Sequence, residues 1–315
     1  MTAAFIFPGQ GSQAIGMGKA LYEAFPASRA VFEEVDSALG QKLSTLMFDG
    51  DIAELTLTAN AQPALMAVSL AALRALESEA GVNLARDARF VAGHSLGEYS
   101  ALAAARAIGV ADAARLLRLR GDAMQKAAPV GFGAMAALLG AEPEQAQAIA
   151  AEAAAETSGV CQVANDNGGG QIVVSGAKAA VERAIEIAKA KGIKRALLLP
   201  VSAPFHCSLM QPAAEAMQAA LASVEINVPV VDVVANVTAS PVRDPAMIRE
   251  LLVAQVCGAV RWRECMGFMH KEGVDLFIEV GAGKVLSGLV KRTAEGARAV
   301  NVGVPADIES FKVTA

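Results

Sequence analysis

The sequence predicts an α/β protein. A large, α/β-hydrolase-like domain with a mostly parallel sheet (residues 1–128 and 197–315) is interrupted by a small ferredoxin-like βαββαβ subdomain (residues 129–196). Three observations carry this expectation. Short apolar strands run into glycine-rich loops, as at Ala3-Ala4-Phe5-Ile6-Phe7 before Pro8-Gly9. Gly93-His94-Ser95-Leu96-Gly97 lies between an apolar strand and a helix-forming run. Strand and helix signals then follow the order βαββαβ from Gly133 to Leu199.

The second observation is the most informative. Strand, tight turn and helix are the context in which Gly-x-Ser-x-Gly forms a nucleophile elbow. Such a turn holds the serine clear of both elements, and flanking glycines let the backbone bend and pack closely. The N-terminus of the next helix brings unpaired N–H groups that stabilise an oxyanion. Ser95 is therefore the candidate nucleophile, although the chain has 28 glycines, enough for such a pattern to arise by accident.

Composition narrows the class. Hydrophobic residues make up 54% and charged residues 19% of the 315, a balance that excludes disorder. The net charge of -5 and the lack of any Lys/Arg stripe argue against nucleic acid as a partner. The four cysteines form no Cys-x-x-Cys pair, and the three histidines have no metal-ligand spacing. We expect no disulfide framework and no structural zinc, as suits a reducing compartment. The N-terminus has no basic segment and does not read as a signal peptide. The charge-free run Leu55–Leu73 holds Thr56, Thr58, Asn60, Gln62 and Pro63, which fit a loop and a buried helix better than a membrane span. The expectation is a soluble, cytoplasmic monomer.

In chain order, Gly9-Gln10-Gly11-Ser12-Gln13-Ala14 formally satisfies the dinucleotide fingerprint. No acidic residue ends a plausible second strand about twenty positions on. As a polar loop at a strand end it is better placed to bring Gln10 to an oxyanion, or it is an ordinary turn. Gly18–Leu39 reads as helical with a break at Phe25-Pro26. Pro63 reads as a helix start, with the helix running Ala64–Glu79 to Gly81. The helix Ala111–Ala127 has an apolar stripe (Ala113, Leu116, Leu117, Ala123, Met124, Ala127) that contains Arg120. A buried arginine needs an anionic partner. That partner is either a structural carboxylate or the carboxylate of a substrate held bidentately.

In the small subdomain, Gly133–Leu139, Val160–Ala164, Gln171–Val174 and Arg195–Leu199 read as strands, with a turn at residues 165–170. Pro143–Thr157 and Lys178–Lys191 read as its helices. An inserted lobe makes a cleft against the main fold. Beyond it, Ser202-Ala203-Pro204-Phe205-His206-Cys207 places a histidine after a proline-stiffened corner. Cys207 reads as packing. A strand Val230–Val234, a loop Ala235–Asp244, a helix Pro245–Cys257, a helix Glu264–Lys271 with His270 as a solvated cap, and a strand Leu276–Val280 complete the reading. Gly281-Ala282-Gly283-Lys284 is no phosphate loop, because Ile278 stands where its leading glycine belongs.

Several stretches together resemble one family: Phe7-Pro8-Gly9-Gln10-Gly11-Ser12-Gln13, Gly93-His94-Ser95-Leu96-Gly97-Glu98, Arg120, Pro204-Phe205-His206, and Gln255 seven residues before Trp262. With Val174-Ser175-Gly176 and Glu279-Val280-Gly281 they are similar, in order and over nearly the whole chain, to malonyl-CoA:acyl carrier protein transacylases. The resemblance implies that Ser95 is acylated and that His206 is its base. It implies that Gln10 and the Leu96 N–H form the oxyanion hole and that Arg120 holds the malonyl carboxylate. Gln255 would orient His206 through its backbone carbonyl, and Asn165 and Met124 would line the cleft. Phe205 would accompany malonyl rather than methylmalonyl preference. The implied partners are malonyl-CoA and holo-acyl carrier protein. No cofactor is implied, since the CoA thioester is a substrate and the acceptor carries the phosphopantetheine. Ala259 and Ala282 depart from the family, where prolines are usual.

Two rival readings stand beside this one. A serine hydrolase would use Ser95, Asp232 or Asp244, and His270 in that order. A non-catalytic docking module would bind a carrier protein without being acylated. For the carrier surface, Lys189, Lys191, Lys194 and Arg195 are the candidates, against the plain reading of a solvated face.

Overall fold

The computed structural model describes residues 2–129, 131–201 and 203–311. Its strands are β1 (Ala3–Phe7), β2 (Phe90–Gly93), β3 (Gly133–Leu139), β4 (Cys161–Asp166), β5 (Gln171–Ala177), β6 (Arg195–Leu198), β7 (Asp232–Ala235), β8 (Ser240–Val242), β9 (Leu276–Val280) and β10 (Arg298–Val302). They form a six-stranded sheet of order β10-β9-β1-β2-β7-β8 and a four-stranded sheet of order β4-β5-β3-β6. In the larger sheet the pairs from β10 to β7 are parallel, and only β8 runs antiparallel. All pairs in the smaller sheet are antiparallel. The predicted α/β architecture and the ferredoxin-like strand order are both present.

The larger sheet is buried on both faces, so its strands read as unbroken apolar runs. Phe5, Phe7, Val91, Val233 and Ile278 point to one side, into the core packed by the helix Thr58–Glu79. Ala4, Ile6, Phe90, Ala92, Val234 and Phe277 point to the other, against Trp262 and Met266. The small sheet has its own core, built from Leu138, Ile149, Ile172, Val181 and their neighbours. Parallel register sets Phe7 beside Gly93, so the loop after β1 and the elbow after β2 leave the sheet side by side.

Several local expectations are corrected. The helix predicted from Ala64 begins at Thr58, so Pro63 lies inside it rather than at its start. The ring removes one N–H from the ladder, but residues on every side of this segment are buried, and packing outweighs a lost bond. β4 continues to Asp166, through a bulge between Val163 and Asn165, where a turn was expected. β7 starts at Asp232 because the Val230 N–H is taken by Ala105 O. The predicted loop 235–244 contains β8. The helix expected from Glu264 begins at Trp262. Ser202 lies outside the described residues. Among the described residues, no helix is long and apolar enough to cross a membrane.

Candidate active site

Ser95 stands in the turn between β2 and the helix Gly97–Ala104, with φ at 53°, a left-handed conformation that a non-glycine residue adopts only under constraint. The constraint is visible on both sides. A Cβ on Gly93 would meet Gly97 O at 1.8 Å, and one on Gly97 would meet Phe7 O at 2.3 Å. The two glycines of the motif are therefore sterically required. Behind the turn, Asn236 at the end of β7 accepts from the Ser95 N–H at 2.8 Å and donates to Gly93 O at 2.8 Å. The Leu96 N–H, at the start of the helix, has no partner among the described residues. It is an open donor beside the serine.

The segment after β6 brings the histidine. His206 also has a positive φ, 59°, and is buried. Its Nε2 lies 2.8 Å from Ser95 Oγ. Its Nδ1 faces Gln255 O at 3.0 Å and Gly258 O at 3.1 Å, at the C-terminal end of the helix Pro245–Cys257. Carbonyls only accept, so the proton sits on Nδ1 and Nε2 keeps a lone pair that accepts the hydrogen bond from the Ser95 O–H. The orphan carbonyls of a helix C-terminus thus stand where an acidic residue stands in the more common triad. Burial, aided by the charge of Arg120, pushes the imidazole down to about 3, so it is neutral and basic in form at ordinary pH.

Arg120 is 1% exposed. Its Nη1 donates to Gln62 Oε1 at 2.8 Å, and its Nη2 donates to Gln255 Oε1 at 2.9 Å and to Ser95 Oγ at 3.1 Å. Its Nε has no partner, and no carboxylate pairs with it among the described residues. The structural-carboxylate alternative is not realised. A buried guanidinium surrounded by neutral acceptors is poised for an anion from outside. The nearest acid is Glu98, whose Oε2 accepts from the Asn236 N–H and from Gln255 Nε2, both at 2.9 Å. Burial pushes this carboxyl up to about 7.

These groups open on a cavity of about 470 Å³ between the two sheets. Gln10, Ser95, Leu96, Arg120, Met124, Asn165, Phe205 and His206 all line it, so eight of the nine predicted site residues share one space. Gln255 is the exception, since it lies fully buried behind the site with its carbonyl facing His206 Nδ1. The rival triad is not assembled. His270 Nδ1 is engaged with Val274 O, Asp244 caps the helix Pro245–Cys257, and Asp232 pairs with Arg243. Cys207 is buried, its thiol bonded to Pro204 O and its pKa raised by burial, as expected of a packing cysteine.

The sequence reading missed Asn236, the carboxylate role of Glu98, Gln62, Thr58 and the His94–Asn167 contact at 2.8 Å. Thr58 and Gln62 showed as polar residues in the charge-free run, and Glu98 as an acid in the first turn of its helix; the others gave no local signal.

The acyl transferase domain profile matches residues 4–312. The chain belongs to the acyl transferase domain family. Its relatives agree with that membership. A Bacillus subtilis protein named malonyl CoA-acyl carrier protein transacylase is 48% identical over 306 residues, covering 97% of this chain and 95% of that one. The crystal structure of an acyl-carrier-protein S-malonyltransferase from Bartonella henselae superposes with a TM-score of 0.96 at 56% identity, covering 98% of each chain. A malonyl-transacylase solved in complex with a type II polyketide synthase acyl-carrier protein gives 0.94 at 41% identity, also over 98% of each chain.

Proposed function

We infer that this acyltransferase moves a malonyl group from malonyl-CoA to the phosphopantetheine thiol of an acyl carrier protein, in fatty acid or polyketide synthesis. The observation that carries the reading is the convergence on one oxygen. Ser95 Oγ lies 2.8 Å from a lone-pair nitrogen of His206 and 3.1 Å from a buried arginine that has no ion pair among the described residues.

In the proposed sequence, Arg120 takes the free carboxylate of malonyl-CoA, which sets the thioester carbonyl over Ser95. Ser95 Oγ attacks that carbon while its proton passes to His206 Nε2. The Leu96 N–H and Gln10 hold the oxyanion. Collapse breaks the C–S bond, and His206 returns the proton to the departing CoA sulfur. The carrier thiol then enters, gives its proton to His206, attacks the malonyl ester, and Ser95 leaves with the proton. Nucleophile, base and oxyanion donors all come from the chain, so the proposal needs no cofactor. Residues 129–196 form one wall of the cleft in this reading, and 1–128 with 197–315 form the catalytic body. Phe205, Met124 and Asn165 shape the acyl space.

A ping-pong test suits the proposal. Initial rates with malonyl-CoA varied at several fixed carrier concentrations are expected to give parallel double-reciprocal lines. Intersecting lines would replace the acyl-enzyme with a ternary complex. Lys189, Lys194 and Arg195 remain proposed carrier contacts, whereas Lys191 is paired with Glu152 at 2.7 Å. The monomeric state is likewise proposed, and light scattering in solution measures it.

A further inference from the structure

Arg120 is held in place without being neutralised. Its Nη1 donates to Gln62 Oε1 at 2.8 Å and its Nη2 to Gln255 Oε1 at 2.9 Å, so both buried anchors are amide oxygens. A guanidinium can only donate, which fixes the direction of each amide. Gln62 turns its NH2 to Thr58 Oγ1 at 2.9 Å. Gln255 turns its NH2 to Ser95 O at 3.0 Å and to Glu98 Oε2 at 2.9 Å.

Both anchors are built into the fold. Gln62 is 1% exposed and Gln255 is fully buried. Helix Val110–Lys126 crosses helix Thr58–Glu79 so closely that a Cβ on Gly121 would meet Ala59 Cα at 2.5 Å. That approach lets the neighbouring Arg120 reach Gln62. On the other side the Gln255 amide stands between Arg120 and Glu98, so the nearest acid bonds to an amide and not to the cation. Burial pulls the guanidinium below its usual pKa, an effect that Tyr99 and Glu98 offset only in part. The charge is left over, on a side chain that lines the cavity.

We propose that Gln62 and Gln255 set the acyl specificity by being neutral: they aim the guanidinium with dipoles and leave its charge for the carboxylate of the substrate. The inference rests on the role given above to Arg120, through which both glutamines act as positioning residues. An acid at position 62 would aim the arginine as well, but the ion pair would then form inside the protein. A substrate carboxylate would meet a pair of no net charge, and its advantage over an uncharged acyl group would disappear.

The test is Gln62→Glu, which keeps the side-chain length and the acceptor facing Arg120. Its second oxygen faces Thr58, whose hydroxyl turns to donate to it. Single-turnover acylation of Ser95 by malonyl-CoA and by acetyl-CoA is read by intact mass across thioester concentrations, beside a thermal melt. Gln62→Glu is expected to lower malonyl acylation about 10²-fold at low substrate, mostly through half-saturation, with acetyl acylation held within about threefold. The melting temperature should rise by about 2–4 °C as the buried cation gains a partner. A purely structural role does not give lost selectivity with gained stability. Gln62→Met removes the acceptor and adds no charge, so it should lower malonyl acylation by less than about tenfold. Malonyl acylation at the parent level in Gln62→Glu, equal losses with both thioesters, a lowered melting temperature, or an equal loss in Gln62→Met would each overturn the inference. Arg120→Met, run alongside, separates it from the reading beneath. A malonyl preference that survives Arg120→Met removes the clamp itself, whereas one lost in Arg120→Met and kept in Gln62→Glu removes only the role of neutrality.

Discussion

Replacing Arg120 with methionine separates recognition from structure. The side chain is buried with a net charge, three hydrogen bonds from its Nη atoms and no ion pair among the described residues. Holding a cation there without an ion pair costs several kcal/mol, and that cost disappears in Arg120→Met. Against it, Gln62 Oε1 and Gln255 Oε1 lose their donors, at about 1–3 kcal/mol each. The two effects nearly cancel, so the folded state should change by no more than about 2 kcal/mol, or roughly 4 °C in melting temperature. Activity does not cancel. A malonyl carboxylate in a buried site without its cation loses about 3–5 kcal/mol, a fall of roughly 10²–10⁴ in kcat/KM. An acetyl thioester has no carboxylate to lose, so its rate should hold within about tenfold. The assay is CoA release and Ser95 adduct mass with each thioester, alongside a thermal melt. Equal losses with both substrates, or a melt lowered far beyond this range, would refute the reasoning and make Arg120 a structural residue.

Three further outcomes follow from the geometry. His206→Ala should abolish Ser95 acylation, by roughly 10²–10⁴ from loss of the base, whereas His270→Ala should leave it intact, and the reverse pattern in the same mass assay would restore the hydrolase reading. The pH behaviour carries two opposed signs. His206, held down to about 3, is below the roughly 6.5 of an unfolded histidine, so its contribution to stability is complete above pH ~6.5 and is lost as pH falls toward 3. Glu98, pushed up to about 7 from roughly 4.3, contributes fully below pH ~4.3 and loses that contribution as pH rises through 7. Glu98→Gln deletes only the second effect, so its melting temperature relative to the parent should climb between pH ~4.5 and 7, and a flat difference would contradict it. Finally, Gly97→Ala places a methyl 2.3 Å from Phe7 O and should cost both the elbow and soluble expression, measured by far-UV circular dichroism and yield.

The elbow was legible because its motif and the strand and helix that flank it are contiguous in the chain, and the small sheet because its strands alternate with helices of ordinary length. Arg120 was legible as an oddity, a cation inside an apolar stripe, although the stripe did not say which anion it awaits. His206 was visible as a histidine after a proline-stiffened corner, but only the resemblance gave it the role of base. Asn236 and Gln255 were beyond local reading altogether. Asn236 meets Ser95 across 141 positions and Gln255 meets it across 160, contacts made only when β2, β7 and the helix Pro245–Cys257 are brought together. Pro63 misled because a proline usually marks a helix start, and here burial along the whole helix outweighs that preference.

The central claim is a carboxylate-selective acyl-enzyme at Ser95. The most direct measurement incubates the protein with malonyl-CoA, and separately with acetyl-CoA, in the absence of any acceptor thiol, then weighs the intact chain and maps the adduct. The account predicts one lasting malonyl group on Ser95 and little acetyl. Steady CoA release with no retained adduct, or an adduct at another residue, would contradict it.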